Sequence, residues 1–402
     1  MKKTWIAIGV VMVVVVAIVL GVTLSQKADH APNNPVTKSH AEAWKSFAVF
    51  SQPLNVTNIG FANFSPDGNY FAYSAFTQGG NPANQGHVVN LKTGEDKALG
   101  GMLSRGFKND DVLPIFRDNG FSIYDASRGQ EQFISSSEFV NDAFVSNNGM
   151  YAATNGGGFM IKNLQTGDVK TLDTKPESSG WAWFSDNNRI LGFKENAENL
   201  FEAGHGRDLG IWNVATGSFR KLPVSFGIKS LRYAEWIVPD HVARINAGYD
   251  DGSHDYLINL DTNKITDLGE TSWALYGGIA VDSKLGIMAA MASGGAGDCS
   301  SGECNAFIAD AAGVVKRIML PRDRHRSGLQ IISKTKLLYI SRDLGEEGGY
   351  GTTYVTMYDA ETNQETRLQE VPNMNIVALA LSPDRKTWIV GAGKEFMVGE
   401  VK

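Results

Sequence analysis

The sequence predicts an all-β fold, namely a β-propeller of eight four-stranded blades preceded by one transmembrane helix. A turn-and-strand pattern recurs eight times along the chain, and a hairpin pattern recurs seven times between its copies. No helical periodicity follows the N-terminal apolar segment. Of the 402 residues, 43% are hydrophobic and 20% are charged, a composition that excludes a disordered polypeptide.

The N-terminal apolar segment, Trp5 to Leu24, has no charged residue and is long enough to cross a bilayer as a helix. Signal-peptide apolar regions are shorter, and no clear small-residue cleavage site follows, so an uncleaved signal anchor is favoured over a cleaved leader. Because Lys2 and Lys3 precede the span, the positive-inside rule places residues 1–4 in the cytoplasm and the rest of the chain outside it. Residues 25–43 are polar and aperiodic, which is typical of a linker.

The first repeated pattern is an apolar residue, a turn rich in Ser, Pro, Asp, Asn and Gly, and then an apolar strand. Its clearest copies read FSPDGNYFAYSA and LSPDRKTWIVGA. Turn residues between two apolar segments of this length indicate two short strands joined by a tight connection. The eight copies begin at Phe64, Phe107, Phe144, Phe184, Trp236, Ala280, Ile331 and Leu381.

The second pattern is a strand, a turn of the Thr-Gly kind and another strand. Its turns end in Gly or Asn, the residues that adopt the positive φ of a tight hairpin most readily. Each copy follows one of the first seven copies of the other pattern, so each period holds four short strands, as a propeller blade does. The turn pairs are Thr93-Gly94, Arg128-Gly129, Thr166-Gly167, Thr216-Gly217, Thr262-Asn263, Ala312-Gly313 and Thr362-Asn363.

The mismatch between eight and seven copies predicts how the ring closes. The last copy, which starts at Leu381, supplies only three strands, and Ser46 to Gln52 is an apolar strand without a partner. We expect this N-terminal strand to complete the last blade, so that residues 44–402 form the propeller and no sheet edge is left open at the seam. If the copy at Phe107 or at Ile331 is misread, the ring has seven blades.

The FSPDG and LSPD motifs resemble the WD-like repeats of TolB-type β-propellers, over about 340 residues. This resemblance implies the fold and carries no information about function. In such a fold, strand tryptophans pack between blades, and we expect this of Trp181, Trp183, Trp236 and Trp388.

The alternation of connections assigns them to two rims of the ring. Turns of the two repeated kinds lie on one rim, the short-turn rim, and all other connections lie on the opposite, long-loop rim. Binding residues on a rigid scaffold concentrate in long loops, so the long-loop rim is the predicted binding face. Its loops are Phe76 to Gly86, Lys194 to Asp208, Gly248 to Asp255, Ala292 to Cys304, Pro321 to Gly328 and Arg342 to Gly351.

Charged clusters on this rim are the candidate binding groups. The arginines between Arg322 and Arg326 could bind a carboxylate or phosphate, although neutralisation by acidic residues of the next blade remains an alternative. The segment GYDDGSHD could supply oxygen ligands to Ca²⁺, but its spacing is not that of an EF-hand, and a solvated turn is favoured. The candidate residues are His205, Arg207, Asp250, Asp251, His254, Arg322, Arg324, Arg326, Glu346 and Glu347.

The two cysteines of the chain, Cys299 and Cys304, lie in one of these loops. In a domain predicted to face outside the cytoplasm, a local disulfide is the leading interpretation. A zinc site would need two more ligands at close spacing, and redox catalysis would favour C-x-x-C, which is missing.

The sequence contains no G-x-S-x-G, H-E-x-x-H, C-x-x-C-H or P-loop motif, so we predict no catalytic residue, metal or cofactor. The net charge of −6 argues against nucleic acid as a partner. The predicted function is therefore a single-pass, membrane-anchored, extracytoplasmic module that binds a protein, peptide or glycan through the long-loop rim. The alternative is a propeller enzyme, a lyase, lactonase or hydrolase, with a metal or acid/base site near the axis of that rim.

Overall fold

The computed structural model describes residues 58–401 except 77–83, 104–106, 108–110, 118–119, 136–141, 147, 149, 156–158, 174–180, 202–203, 227–229, 250–251, 272–277, 293–305, 322–323, 345–349, 372–375 and 394. The expected transmembrane helix 5–24, the linker 25–43 and the closing strand Ser46 to Gln52 lie outside these residues. The described part of the chain contains no helix with the length and apolar character of a membrane span.

The first four blades follow one another along the chain. Blade 1 contains β1 (Asn58–Phe64), β2 (Tyr70–Phe76), β3 (Asn84–Asn90) and β4 (Asp96–Ala98). Blade 2 contains β5 (Met102–Leu103), β6 (Val112–Arg117), β7 (Gly120–Asp125) and β8 (Gln130–Ser135). Blade 3 contains β9 (Asp142–Val145), β10 (Tyr151–Asn155), β11 (Phe159–Asn163) and β12 (Val169–Asp173). Blade 4 contains β13 (Ala182–Trp183), β14 (Arg189–Phe201), β15 (Gly204–Asn213) and β16 (Phe219–Lys221).

The second half of the ring repeats this order. Blade 5 contains β17 (Ser230–Val238), β18 (Val242–Tyr249), β19 (Gly252–Asn259) and β20 (Lys264–Glu270). Blade 6 contains β21 (Gly278–Asp282), β22 (Ile287–Met291), β23 (Ala306–Asp310) and β24 (Gly313–Ile318). Blade 7 contains β25 (Arg324–Ile331), β26 (Lys336–Leu344), β27 (Tyr350–Asp359) and β28 (Gln364–Val371). Blade 8 contains β29 (Ile376–Leu381), β30 (Thr387–Ala392) and β31 (Glu395–Glu400).

Each blade is an antiparallel sheet whose strands pair in chain order, and the first strands of blades 4 to 8 and of blade 1 contact one another in succession. The described residues form eight such sheets, so the prediction of eight blades is confirmed and the alternative of seven is wrong. Blades 1 and 8 pack together at the seam, where Phe71 meets Phe396 edge to face with ring centroids 5.6 Å apart. In the described residues blade 8 has three strands.

Local hydrogen bonds explain why the first repeated pattern turns. In blade 1 the Ser65 hydroxyl donates to Asp67 Oδ1 at 2.6 Å and accepts from the Tyr70 backbone N–H at 2.9 Å. The turns at Ser146 and Ser382 make the same two contacts in blades 3 and 8. These serine side chains therefore provide hydrogen-bond partners for the backbone N–H groups of their own turn.

The Thr-Gly turns are built in a similar way. The Asn90 side-chain oxygen accepts from the backbone N–H groups of Lys92 and Thr93, at 3.0 and 3.1 Å. The turn then passes through a left-handed residue, Gly94 with φ +76°, and in blade 7 Asn363 with φ +57°. The predicted need for Gly or Asn at this position is confirmed.

Apolar clusters fill the spaces between neighbouring blades, and the expected tryptophans lie in them. Trp181, Trp183 and Trp388 are buried. The half-buried Trp236 of blade 5 packs on Phe184 of blade 4, with centroids 4.9 Å apart. The prediction that these tryptophans pack between blades is thus confirmed.

The structure corrects the expectation that the long-loop rim is made of irregular loops. Much of the segments 194–208, 248–255 and 342–351 is paired as extensions of hairpins. Residues 324–328 belong to the strand β25. A strand is identified in a sequence by alternating apolar and polar residues, and this alternation requires that one face of the strand is buried. A hairpin that extends past its neighbours has no buried face. Its sequence therefore resembles that of a loop.

Candidate functional site

Three extended hairpins distinguish the long-loop rim. In blade 4, β14 has 13 residues and β15 has 10, and their pairing continues to Phe201 and Gly204. The hairpins of blades 5 and 7 pair as far as Tyr249 with Gly252 and Leu344 with Tyr350. The corresponding strands of blade 6 have five residues each. The strands of the hairpins on both sides of blade 6 are therefore longer than the described strands of blade 6 itself.

A cluster of charged side chains lies on the face of blade 7 that packs against blade 6. Arg324 Nη1 lies 3.1 Å from Glu365 Oε2, and Arg326 Nη2 lies 3.4 Å from Glu365 Oε1. Asp343 Oδ1 is 3.9 Å from Arg324 Nε and 2.6 Å from Arg367 Nη2. Among the described residues, two carboxylates are thus shared among three guanidinium groups.

Arg326 is the most deeply buried member of this cluster, with a side chain that is 0% exposed. Its Nη2 also donates to the Pro321 carbonyl at 2.7 Å, whereas Nε and Nη1 have no hydrogen-bond partner among the described residues. Glu365 accepts a short hydrogen bond from the Tyr339 hydroxyl. Burial, reinforced by the charge of Glu365, raises the pKa of Tyr339 far above its usual range, so this phenol remains a donor.

A second buried arginine lies on the face of blade 5 that packs against blade 6. Arg244 holds Asp255 through two hydrogen bonds, Nε to Oδ1 at 2.9 Å and Nη2 to Oδ2 at 3.1 Å. Asn246 donates to the same carboxylate at 3.1 Å, and Glu235 lies 3.6 Å from Arg244 Nη1. The Asp255 side chain is 0% exposed, yet both of its oxygens are engaged, so its charge is compensated.

The structure places two of the predicted binding residues in the blade 7 cluster and the other described ones elsewhere on blades 4 and 5. Arg324 and Arg326 are engaged with Glu365 as described above. His254 Nδ1 lies 3.5 Å from Asp267 Oδ1, and its ring stacks on Tyr256. Arg207 Nη1 donates to the Leu231 carbonyl at 2.7 Å. The backbone of His205 pairs with Leu200, and its side chain is not described. Outside the described residues lie Asp250, Asp251, Arg322, Glu346, Glu347, Cys299 and Cys304.

Sequence reasoning missed the acidic partners of these arginines. Glu365 lies on a strand of blade 7, whereas Asp343 and Asp255 lie on strands of blades 7 and 5 in segments predicted as long loops. Only the register between strands brings these carboxylates to an arginine. Within the described ranges, no three His, Cys, Asp or Glu side chains are grouped so that they could hold a metal ion.

No protein-family model matches the chain, and no curated protein matches it in sequence. Solved structures do resemble it. The propeller of Dos1 superposes with a TM-score of 0.56 at 12% identity, covering 88% of this chain and 96% of that one. Sqt1 of Saccharomyces cerevisiae has a TM-score of 0.54 at 15% identity, covering 87% and 97%.

The β-propeller domain of the Trilobed protease of Pyrococcus furiosus, which is described as having an open velcro topology, has a TM-score of 0.51 at 12% identity. It covers 80% of this chain and 98% of its own. At these identities the similarity establishes the fold alone, which is a β-propeller.

Proposed function

We propose that the protein is a non-catalytic binding module, held at a membrane by residues 5–24, whose propeller faces outside the cytoplasm. Its long-loop rim engages a protein, peptide or glycan. The single observation that carries this proposal is the set of extended hairpins in blades 4, 5 and 7, all on one rim. Strands that extend past the ends of their neighbours are positioned to contact a partner, as long connections on a rigid scaffold are.

The two rims differ in the chemistry that they offer. On the short-turn rim, side chains such as Ser65, Asn90 and Ser382 bond to their own turns. The long-loop rim presents raised backbone in blades 4, 5 and 7, together with the partly exposed charges of Arg324 and Asp343 in blade 7. Binding modules concentrate contact energy in a few anchored side chains surrounded by a polar rim, and this surface supports that arrangement.

The location of the propeller remains part of the same proposal. The charge-free segment Trp5 to Leu24 and the two lysines before it support an uncleaved anchor, with the linker 25–43 as a tether. A disulfide between Cys299 and Cys304 fits an oxidising compartment.

The test compares the two rims in the full chain. The partner that copurifies under native conditions is isolated, and its affinity is measured for wild type and for a variant with a shortened blade 4 hairpin. Because Glu195 and Arg207 are register partners, residues 196–206 can be replaced by an Asn-Gly turn without disturbing the blade below. We expect the affinity to fall by more than about tenfold.

The matched control reverses the charges of Lys92, Glu95 and Asp168 on the short-turn rim. This variant is expected to retain the wild-type affinity to within about twofold, as surface changes away from an interface do. Loss of affinity in the control, with none in the hairpin variant, would mean that the binding face lies on the other rim.

A further inference from the structure

The central channel ends at the short-turn rim in a cavity of about 270 Å³. Four consecutive blades line it through the ends of their first strands, β29 of blade 8, β1 of blade 1, β21 of blade 6 and β25 of blade 7. It therefore lies at the opposite end of the ring from the rim discussed above. The lining is mixed, with the apolar side chains of Val281, Ile331 and Leu381 beside several polar groups.

A charge pair crosses the mouth of this cavity. Arg385 Nη2 of blade 8 lies 2.6 Å from Asp282 Oδ2 of blade 6, so the pair spans the width of blade 7. The other oxygen of Asp282 accepts from the Leu285 backbone N–H at 2.9 Å. Both oxygens of Asp282 thus accept a hydrogen bond, whereas Arg385 uses one of its nitrogens for this pair.

Arg385 occupies a position where the fold prefers another residue type. Its φ is +60°, and the equivalent turn residues of blades 1 and 4 are Gly68 and Asn187, with φ of +75° and +56°. Gly and Asn adopt this left-handed conformation readily, while a long side chain incurs a steric cost. The arginine at this turn therefore departs from the local structural requirement, as residues at binding sites often do.

Two further polar groups of the lining have no partner among the described residues. Lys284 makes no ion pair there, although it lies two positions from Asp282. The side-chain oxygen of Asn63 is buried and accepts no hydrogen bond from any described group. A buried acceptor that is left unsatisfied is costly, so it requires a donor.

Most other polar side chains of the cavity wall are already engaged. The hydroxyl groups of Ser65 and Ser382 donate to the carboxylates of Asp67 and Asp384 at 2.6 Å, and Gln330 Nε2 donates to the Leu379 carbonyl at 3.3 Å. The exposed Ser283 also lines the cavity. The groups that the cavity offers to a ligand thus include two cations, Lys284 and Arg385, and the buried acceptor of Asn63.

We propose that this cavity binds a small hydroxycarboxylate. The carboxylate of the ligand lies between Lys284 and Arg385, and its hydroxyl group donates to Asn63. A volume of about 270 Å³ suits a ligand of a few heavy atoms rather than a folded partner. The site is independent of the long-loop rim, because it is formed by different connections at the opposite end of the channel.

The experiment uses the full chain and three probes of similar size, titrated by calorimetry. Lactate carries both the anion and the hydroxyl donor, propionate lacks the donor, and lactamide lacks the anion. We expect lactate to bind at least about tenfold more tightly than either of the other two. Lys284→Ala is expected to weaken lactate binding by about tenfold and to leave the melting temperature unchanged, since this side chain is exposed.

Lys334→Ala is the matched control. Lys334 is an exposed lysine in the corresponding turn of blade 7 but does not line the cavity, so this variant should bind lactate as the wild type does. Absence of binding by all three probes up to about 10 mM would overturn the proposal, as would equal affinity for lactate and propionate. An equal loss in both lysine variants would also overturn it, because it would indicate a diffuse effect of net charge.

Discussion

The two rims of the propeller use the same kinds of polar residues for different purposes. On the short-turn rim, Ser382 donates to Asp384 within one turn, and the Asn90 side chain accepts from the backbone of its own hairpin turn. At the long-loop end of blade 7, charged groups pair between strands, as Arg324 does with Asp343, and the hairpin of blade 4 continues beyond this level. The repeated turn motifs thus determine the scaffold. The connections of the long-loop rim do not repeat, so their sequences can vary without disturbing the blades.

The largest expected effect concerns the seam, since both rims presuppose a closed ring. A chain that starts at Ala43 should fold, whereas one that starts at Val56 lacks the strand Ser46 to Gln52 and leaves the outer edge of β31 open. We expect the shorter chain to be less stable by about 4 kcal/mol and prone to associate. Thermal melts of the two chains decide it, and equal melting temperatures would show that this segment does not close the ring.

The next prediction compares how much the two buried arginines beside blade 6, Arg244 and Arg326, contribute to stability. Asp255→Ala leaves Arg244 buried without its main partner, and we expect a loss of about 3 kcal/mol. Arg326→Met should change the free energy of unfolding by less than about 1 kcal/mol, because Arg326 makes one long contact to Glu365 and one hydrogen bond to the Pro321 carbonyl, and leaves two nitrogens unpaired among the described residues. Urea unfolding measures both. A large loss in Arg326→Met would show that its free nitrogens have partners elsewhere in the chain.

A smaller effect is expected at the cysteine loop. A disulfide between Cys299 and Cys304 closes a short ring, and replacing both residues by Ser should cost about 2 kcal/mol on the chain-entropy estimate. Mass spectrometry of protein from its native compartment should find the pair two hydrogens lighter than the reduced form. Free thiols there would argue against both the disulfide and an extracytoplasmic propeller.

The smallest effect tests the turns of the short-turn rim. Ser382→Ala should cost about 1 kcal/mol near neutral pH, because it removes a hydrogen bond to a carboxylate. That hydrogen bond is also the main cause that lowers the pKa of Asp384 below 3.8. A lowered pKa in the folded state means that the ionised carboxylate stabilises the fold above pH 3.8, and that this contribution is lost as the pH falls through the folded pKa.

Urea unfolding of wild type and Ser382→Ala at pH 7 and about pH 3 checks this pH dependence. The difference in their free energy of unfolding should be smaller at the lower pH. Ser283→Ala is the control, because Ser283 is an exposed serine of another blade turn and should behave as the wild type at both values. A difference that grows in acid would contradict the role given to Asp384.

Most of the scaffold could be predicted because its signals are local. A serine and an aspartate two positions apart, or a glycine after threonine, specify a turn through bonds within a few residues, and their repetition counts the blades. The packing of tryptophans between blades could be predicted as well, because their positions on the repeated strands were known. Residues that act within one turn leave a signature in the sequence.

The candidate site could be predicted only in part, because its contacts are not local. Arg326 and Glu365 are 39 positions apart, and Asp282 meets Arg385 across 103 positions. No spacing rule connects such pairs, since the distance depends on the register of strands and the order of blades. The rim could be identified from connection lengths, while the partners of its charges required the structure.

The claim that the long-loop rim binds is tested most directly by hydroxyl-radical footprinting of the full chain, in its native membranes and after purification. We predict protection in membranes at the hairpins of blades 4, 5 and 7, with unchanged oxidation at the Thr-Gly turns around Lys92 and Asp168. Protection of those turns while the hairpins remain equally exposed in both samples would contradict the proposed binding face.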